Sequence, residues 1–120
     1  MMLRVYAYKN CDTCRRALKW LAARHIVHEV IPIRDQPPAP AELRALLGVT
    51  GDLRRLFNTA GGDYKALGLK DRLQHMSADE ALALLASNGN LVKRPFIIGK
   101  GVHLIGFKDD EWAAALAGPG

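Results

Sequence analysis

The sequence has few cysteines, few aromatic residues and no long apolar run, and each shortage excludes a class of protein. Two cysteines in 120 residues cannot supply the disulfide framework of a small secreted domain. No stretch approaches the roughly 20 apolar residues of a membrane-spanning helix, and Arg4 comes too early for the apolar region of a signal peptide. Aromatic residues are 7% of the chain, which leaves few stacking platforms for single-stranded nucleic acid. We therefore expect a cytoplasmic protein without a membrane partner, in a compartment that keeps thiols reduced.

The charge of the chain is moderately basic but has no concentrated source. Seventeen Lys and Arg against twelve Asp and Glu give a net charge of +5, and the basic residues are scattered from Arg4 to Lys108 without a dense run. This distribution is typical of a solvated surface, so nucleic acid is not expected as a partner. About half of the residues are apolar (49%), and a chain of this length can bury a core and fold as one domain.

Hydrophobic periodicity predicts a β-α-β unit, then several helices, then a β-β-α unit. The predicted strands are 3–8, 27–33, 92–98 and 102–107, and the predicted helices are 12–24, 41–47, 52–57, 64–67, 78–87 and 109–117. Pro32 cannot donate a ladder hydrogen bond, so the second strand should lie at an edge or end early. The order predicts a thioredoxin-like α/β fold with a mixed four-stranded sheet. It would form a single domain over 1–120, with a helical insertion at about 37–90.

Cys11 and Cys14 lie three residues apart at the predicted junction of the first strand and the first helix. A C-x-x-C motif near a β-α-β pattern is a redox signature, because thiolate is the reactive form of cysteine and a helix N-terminus stabilises a negative group by about 0.3–2 kcal/mol. The helical period places Cys14 on the apolar face with Ala17, so Cys14 should be the more buried sulfur. We predict that Cys11 attacks a disulfide and Cys14 resolves the mixed disulfide. Three cations could stabilise the thiolate further: Lys9, Arg15 and Arg94.

Other interpretations of the cysteine pair stay open. The two residues could be inert core side chains, a structural disulfide, or half of a zinc site completed by His25 and His28. A reducing compartment disfavours the disulfide. If 12–24 is helical, Cys14 and His25 lie about 16 Å apart along its axis, too far to share one zinc ion at ligand distances of about 2.0–2.3 Å. No metal ligand is therefore predicted.

Three segments of the sequence are similar to the arsenate reductase family of thioredoxin-fold proteins, which includes ArsC, Spx and YffB relatives. The segments are 6–17, which holds the C-x-x-C motif, 64–69 and 91–95. The resemblance covers essentially the whole chain and is greatest to the YffB-like branch. It implies a thiol–disulfide oxidoreductase, and more narrowly a glutathione-dependent thiol reductase. It further implies that no cofactor is tightly bound, that glutathione is the co-substrate, and that glutaredoxin or a small or protein disulfide is a partner.

The same resemblance assigns roles to individual residues. Cys11 occupies the position of the family's catalytic cysteine, Arg94 matches an arginine beside the active site, and Pro95 stands where thioredoxin folds usually have a cis-proline. Cys11, Cys14 and Arg94 are therefore the predicted catalytic residues. The predicted substrate-binding residues surround them: Lys9, Asn10, Asp12, Thr13, Arg15, Arg94 and Pro95.

The chain departs from typical arsenate reductases of this family. Those proteins resemble C-x-x-[ST] and bring two further arginines to the oxyanion, where this chain has about Asn58 and Gly106; their upstream histidine corresponds to about Ala7. One arginine of three would hold a doubly charged oxyanion poorly, because bidentate guanidinium contacts bind such groups. Arsenate reduction is thus the second alternative. The first is an Spx-like redox-sensing regulator that binds RNA polymerase, with the cysteine pair as its switch.

Overall fold

The computed structural model describes residues 2–116, which divide into two compact units. One unit combines the described residues up to 32 with those from 94 onward, and the other is 33–93. Along the chain the elements are β1 (Leu3–Ala7), α1 (Asp12–Ala23), β2 (His28–Pro32), α2 (Pro40–Thr50), α3 (Gly62–Ala66), α4 (Leu69–Arg72), α5 (Ala78–Ser87), β3 (Phe96–Gly99), β4 (Val102–Ile105) and α6 (Asp109–Leu116). Short 3-10 helices cover Leu53–Leu56, Leu73–His75 and Gly89–Leu91. Among the described residues, no helix has the length and apolar character needed to cross a membrane.

The four strands of the first unit form one mixed sheet in the order β2-β1-β3-β4. β1 pairs in parallel with β2, where Val5 lies opposite Val30, and antiparallel with β3, where Val5 lies opposite Ile97. β3 and β4 form an antiparallel hairpin. β2 lies at the edge, as Pro32 predicted. The predicted mixed four-stranded sheet is therefore confirmed.

The core of this unit lies between the sheet and helices α1 and α6. Its buried members come from β1, α1, β3 and α6: Leu3, Val5, Ala7, Cys14, Ala17, Trp20, Leu21, Ile97 and Trp112. The period of two in β1 and of 3.6 in α1 directs these side chains to one layer. Both indole N–H groups are satisfied, since Trp112 Nε1 donates to the Gly106 carbonyl at 3.1 Å and Trp20 Nε1 donates to Asp109 Oδ1 at 2.8 Å. The core therefore holds two large aromatic side chains without an unpaired indole donor.

In the second unit, a short backbone ribbon joins two distant segments. Phe57 forms an isolated antiparallel bridge with Val92, and Lys93 N donates to the Leu56 carbonyl at 2.9 Å. The predicted strand over 92–98 is therefore wrong at its start, because β3 begins only at Phe96. Residues 92 and 93 pair instead with a segment of the second unit.

The helices of the second unit differ from the predicted ones mainly at their ends. The predicted end of this helix at residue 47 is wrong, because α2 continues to Thr50 and is capped by Gly51, which has a left-handed φ of 69°. A capping box opens α5: Ser77 Oγ accepts from Glu80 N at 3.1 Å, and Glu80 Oε1 accepts from Ser77 N at 3.0 Å.

The remaining differences concern short elements. The predicted helix over 52–57 is a 3-10 helix over Leu53–Leu56. The predicted helix over 64–67 is α3, which begins two residues earlier, and α4 was not predicted. β4 ends at Ile105, two residues before the predicted end. The predicted end of the last helix, Ala117, lies outside the described residues.

Gly89 lies directly against the backbone of Ile33. A Cβ atom at this position would lie 1.9 Å from the carbonyl oxygen of Ile33 and 2.7 Å from its carbonyl carbon. Any side chain would therefore have to displace backbone, so only glycine fits. The chain near the end of this unit thus passes directly against the residue with which the unit begins.

Candidate active site

Cys11 is the N-cap residue of α1. Its backbone is extended (φ −94°, ψ 115°), and its Sγ accepts a hydrogen bond from Cys14 N at 3.3 Å. Its own N–H donates to the Tyr8 carbonyl at 3.0 Å, which fixes the turn between β1 and α1. The sulfur therefore faces the first unpaired N–H groups of the helix, where a negative charge is stabilised. Since Cys11 is only half-buried, a substrate can reach it.

Cys14 lies one turn into α1 and is fully buried, as its place on the apolar face predicted. Burial raises the pKa of the Cys14 thiol to about 12, and the hydrogen bond and charge of Cys11 act in the same direction. The backbone hydrogen bond of Tyr8 lowers this pKa by less than burial and the Cys11 hydrogen bond raise it, and the charge of Arg94 lowers it least. At neutral pH Cys14 is therefore a protonated thiol, and Cys11 is the more exposed of the two sulfurs.

Arg94 and Pro95 enter the unit at the start of β3. The Arg94–Pro95 peptide bond is cis, as the family resemblance implied. Pro95 is buried, and its carbonyl accepts from Gly106 N at 2.8 Å. The guanidinium carbon of Arg94 lies 5.1 Å from the centroid of the Tyr8 ring. Its Nη1 atom is buried and has no hydrogen-bond partner within residues 2–116, an arrangement suited to an incoming anion.

The predicted basic residues Lys9 and Arg15 lie on the exposed side of the turn. Arg15 Nη1 donates to the Lys9 carbonyl at 3.4 Å, so the two residues are neighbours. Asn10, also exposed, donates from Nδ2 to the Tyr8 hydroxyl at 3.1 Å. All three residues are exposed and lie within four positions of Cys11 in the sequence.

The two residues between the cysteines occupy the first turn of α1. Asp12 is exposed and pairs with Arg16 at 3.7 Å, four residues along the helix. Thr13 is half-buried. Arg16 is exposed and belongs to the solvated face of α1. An exposed ion pair of this kind contributes little to stability.

Tyr8 is the site residue that sequence reasoning missed. Its ring lies under the Arg94 guanidinium, its hydroxyl accepts from Asn10, and its carbonyl accepts from Cys11 N. The sequence showed Tyr8 only as the end of a strand and as part of a segment that resembles the family. No pattern in the sequence indicated that Arg94, 86 positions later, would lie over its ring.

The zinc interpretation needs ligands beyond the two cysteines. His25 lies two residues past the end of α1, whereas Cys14 lies in the first turn of that helix. Within residues 2–116, no three His, Cys, Asp or Glu side chains form a group that could hold a metal ion.

Together, the mixed sheet, the half-exposed cysteine capping α1, the buried cysteine one turn later and the cis-proline at the start of β3 define a thioredoxin-like thiol protein. The comparisons with known proteins state the family. The model of the ArsC family matches residues 6–115, and the chain belongs to this family.

Relatives of known sequence agree with this assignment. The chain is 46% identical to the Bacillus subtilis protein YusI over 113 residues, which are 93% of this chain and 96% of YusI. It is 29% identical to the global transcriptional regulator Spx of Enterococcus faecalis over 111 residues, covering 92% of this chain and 83% of Spx. The family therefore includes a protein named as a regulator.

Solved structures share the fold over nearly the whole chain. An ArsC family related protein from Bacteroides fragilis superimposes with a TM-score of 0.87 at 39% identity, covering 96% of this chain and 99% of that one. A protein named as a possible arsenate reductase from Streptococcus mutans superimposes with a TM-score of 0.83 at 44% identity, covering 89% and 92%. The thioredoxin-like fold predicted from the order of elements is thus confirmed.

Proposed function

We propose that this protein is a glutathione-dependent thiol–disulfide oxidoreductase in which Cys11 is the nucleophile. The observation that carries the proposal is the asymmetry of the two sulfurs. Cys11 caps α1 and is half-exposed, whereas Cys14 is buried with its pKa raised to about 12. Such an asymmetry is what a stepwise thiol–disulfide exchange needs, because one sulfur must attack while the other stays protonated.

In the first step, the Cys11 thiolate attacks the glutathione sulfur of a mixed disulfide. The new bond joins Cys11 Sγ to glutathione, the original disulfide bond breaks, and the substrate leaves as a thiolate that takes a proton from water. The helix N-terminus stabilises the Cys11 thiolate both before the attack and when it is released again. No oxidant or metal enters this step, because the two electrons stay within the exchanging sulfurs.

In the second step, a glutathione thiolate attacks the Cys11-bound sulfur, releasing oxidised glutathione and the Cys11 thiolate. Cys14 could instead attack Cys11 Sγ, forming the Cys11–Cys14 disulfide and releasing reduced glutathione. The raised pKa of Cys14 disfavours this route, because its thiolate is scarce at neutral pH. The contribution of Cys11 to this raised pKa becomes smaller once Cys11 loses its charge in the mixed disulfide, but burial, the largest cause, remains. Glutathione therefore completes most turnovers, and Cys14 resolves the intermediate when glutathione is scarce.

The buried Nη1 atom of Arg94 supports an anionic substrate. A guanidinium with an unpartnered donor beside the nucleophile suits a carboxylate, and glutathione carries two. The exposed Lys9 and Arg15 offer charge for the second carboxylate. This proposal places the protein in the cytoplasm, where glutathione is abundant and thiols are kept reduced. Glutathione or glutaredoxin would be its reducing partner, without a tightly bound cofactor.

Two alternatives follow from the names of its relatives. The similarity to Spx favours a redox-sensing regulator that binds RNA polymerase, with oxidation of Cys11 and Cys14 as the switch. The similarity to a protein named as a possible arsenate reductase favours arsenate as substrate. Arg94 is matched, but Asn58 and Gly106 stand where arginines are expected, which weakens the arsenate alternative.

The deciding experiment is a turnover assay with reduced glutathione, comparing a model glutathione mixed disulfide with arsenate. The proposal predicts turnover of the disulfide, complete loss in Cys11→Ser, and retained turnover in Cys14→Ser when glutathione is in excess. Without glutathione, Cys14→Ser should accumulate a mixed disulfide on Cys11, visible by intact mass. Turnover of neither substrate, together with capture of purified RNA polymerase, would replace the proposal with the regulator. Turnover of arsenate alone would establish the reductase.

A further inference from the structure

We propose that Tyr8 is a positioning residue that holds the Arg94 guanidinium beside Cys11 and so makes the site selective for anionic substrates. The inference rests on the proposed function only for the identity of that substrate. It assigns a role to a side chain that is neither a thiol nor a cation. The juxtaposition of one ring with Arg94, Asn10 and the Cys11 turn carries it.

The first contact is between Arg94 and the ring. The guanidinium carbon lies 5.1 Å from the ring centroid, within the roughly 6 Å over which a cation and an aromatic face attract. Nη1 of Arg94 is buried and finds no acceptor within the described residues. The ring therefore restrains a long side chain that would otherwise lose rotamer freedom only on meeting its ligand.

The second set of contacts ties the same residue to the nucleophile. The Tyr8 hydroxyl accepts from Asn10 Nδ2 at 3.1 Å, and the Tyr8 carbonyl accepts from Cys11 N at 3.0 Å. A hydrogen bond with the backbone of Tyr8 also lowers the pKa of the Cys14 thiol, against the larger effect of burial. A single residue thus touches the turn that carries the nucleophile and the cation that faces the substrate.

These contacts would fix the distance between the Cys11 sulfur and the Arg94 guanidinium. Catalytic and binding groups lose much of their effect when they move by about 1 Å, so a cation on a flexible stem needs a support. With the ring in place, an anionic reagent meets Arg94 as it reaches Cys11. Without it, Arg94 can swing away, and anionic and neutral reagents become more nearly equivalent.

The test is the rate at which iodoacetate alkylates Cys11, divided by the rate for iodoacetamide. One reagent is anionic and the other neutral, and the same thiolate attacks the CH2 carbon of each and displaces iodide. The ratio is therefore insensitive to the amount of thiolate, and the circular-dichroism spectrum of each variant establishes that it is folded. Mass analysis of the Cys11 peptide identifies the alkylated sulfur. We expect Tyr8→Leu to lower the ratio by about threefold or more, the lower range for a half-buried cation–π contact. Arg94→Gln should lower it at least as far.

Two conservative variants serve as controls. Tyr8→Phe keeps the ring and should keep the ratio. Arg24→Gln removes another cation–π contact, in which the guanidinium carbon lies 3.9 Å from the Trp20 ring centroid just beyond the far end of α1, and should leave the ratio unchanged. In the Arg94→Gln background, Tyr8→Leu should have no further effect, because the ring acts through Arg94.

Several results would overturn the inference. A Tyr8→Leu ratio equal to that of the unmodified protein would show that the ring does not position Arg94. A decrease that persists in the Arg94→Gln background would show that Tyr8 acts independently of Arg94. A decrease in Tyr8→Phe equal to that in Tyr8→Leu would transfer the effect to the hydroxyl and Asn10. The proposed function stands apart from these outcomes, because absence of glutathione turnover with the expected ratios would refute only the substrate assignment.

Discussion

The buried thiol of Cys14 should make the stability of the protein fall at alkaline pH. Its pKa is about 12 in the folded protein and 9.0 in the reference state that represents the unfolded chain. The folded state therefore binds the proton more tightly than the unfolded state between these two values. Protonation of Cys14 contributes stability that is fully present below pH 9 and is lost as the pH rises toward 12.

The size of the effect follows from the same two values. Three pKa units correspond to a ceiling of about 4 kcal/mol, and by pH 10 the loss should reach roughly 1 to 2 kcal/mol. Other groups also titrate near pH 10, so the loss must be measured against a variant that lacks this thiol. Cys14→Ala supplies that reference, because it removes the ionisable group and leaves every other one in place.

The assay is urea unfolding at a series of pH values from 7 to 10, with a phosphine reductant to keep both cysteines reduced. At each pH the free energy of unfolding of the Cys14→Ala variant is subtracted from that of the original protein. We expect this difference to decrease steadily above pH 9. A difference that stays constant from pH 7 to 10 would refute the reasoning, since Cys14 would then ionise equally in both states.

Two further predictions concern the second unit and use matched variants. Gly89→Ala should destabilise the protein by several kcal/mol, because its Cβ would meet the Ile33 backbone, whereas Gly48→Ala, with nothing within 4 Å of its Cβ in the interior of α2, should stabilise by about 0.5–1 kcal/mol. Urea unfolding of both variants tests the pair, and a neutral Gly89→Ala would contradict the close approach. Ser77→Ala should cost about 1 kcal/mol by removing the oxygen that accepts from Glu80 N, while Ser87→Ala, at the last residue of α5, should cost less in the same assay.

Periodicity predicted the two elements that flank Cys11. β1 alternates and α1 repeats its apolar residues over three turns, so the junction that holds Cys11 and the burial of Cys14 could both be read from local pattern. α4 has only four residues and ends before any period can be recognised. Gly48 and Gly51 both follow the predicted helix over 41–47. Only the backbone of the folded chain shows that Gly51 has the left-handed φ and ends α2.

Contacts between distant residues set the limit of prediction at the site. Arg94 and Pro95 were found through resemblance, and the cis bond agrees with it. The position of the Arg94 guanidinium over Tyr8 follows from the antiparallel pairing of β1 with β3, which brings residues far apart in sequence to the same end of the sheet. The prediction of the third strand was wrong at its N-terminal end because of a contact between residues far apart in the sequence. Val92 is a good strand former, but it pairs with Phe57 instead of entering the sheet.

The close approach of Gly89 to Ile33 also bears on how the chain can vary between related proteins. Residues 33–93 leave and return at nearly one place, since Gly89 lies against the first residue of this unit. An excursion whose two ends already meet can be lengthened, shortened or exchanged without changing the distance that must be bridged between its neighbours in the chain. Residues 33–93 can therefore change in length between relatives while the turn that holds Cys11 and Cys14 stays unchanged.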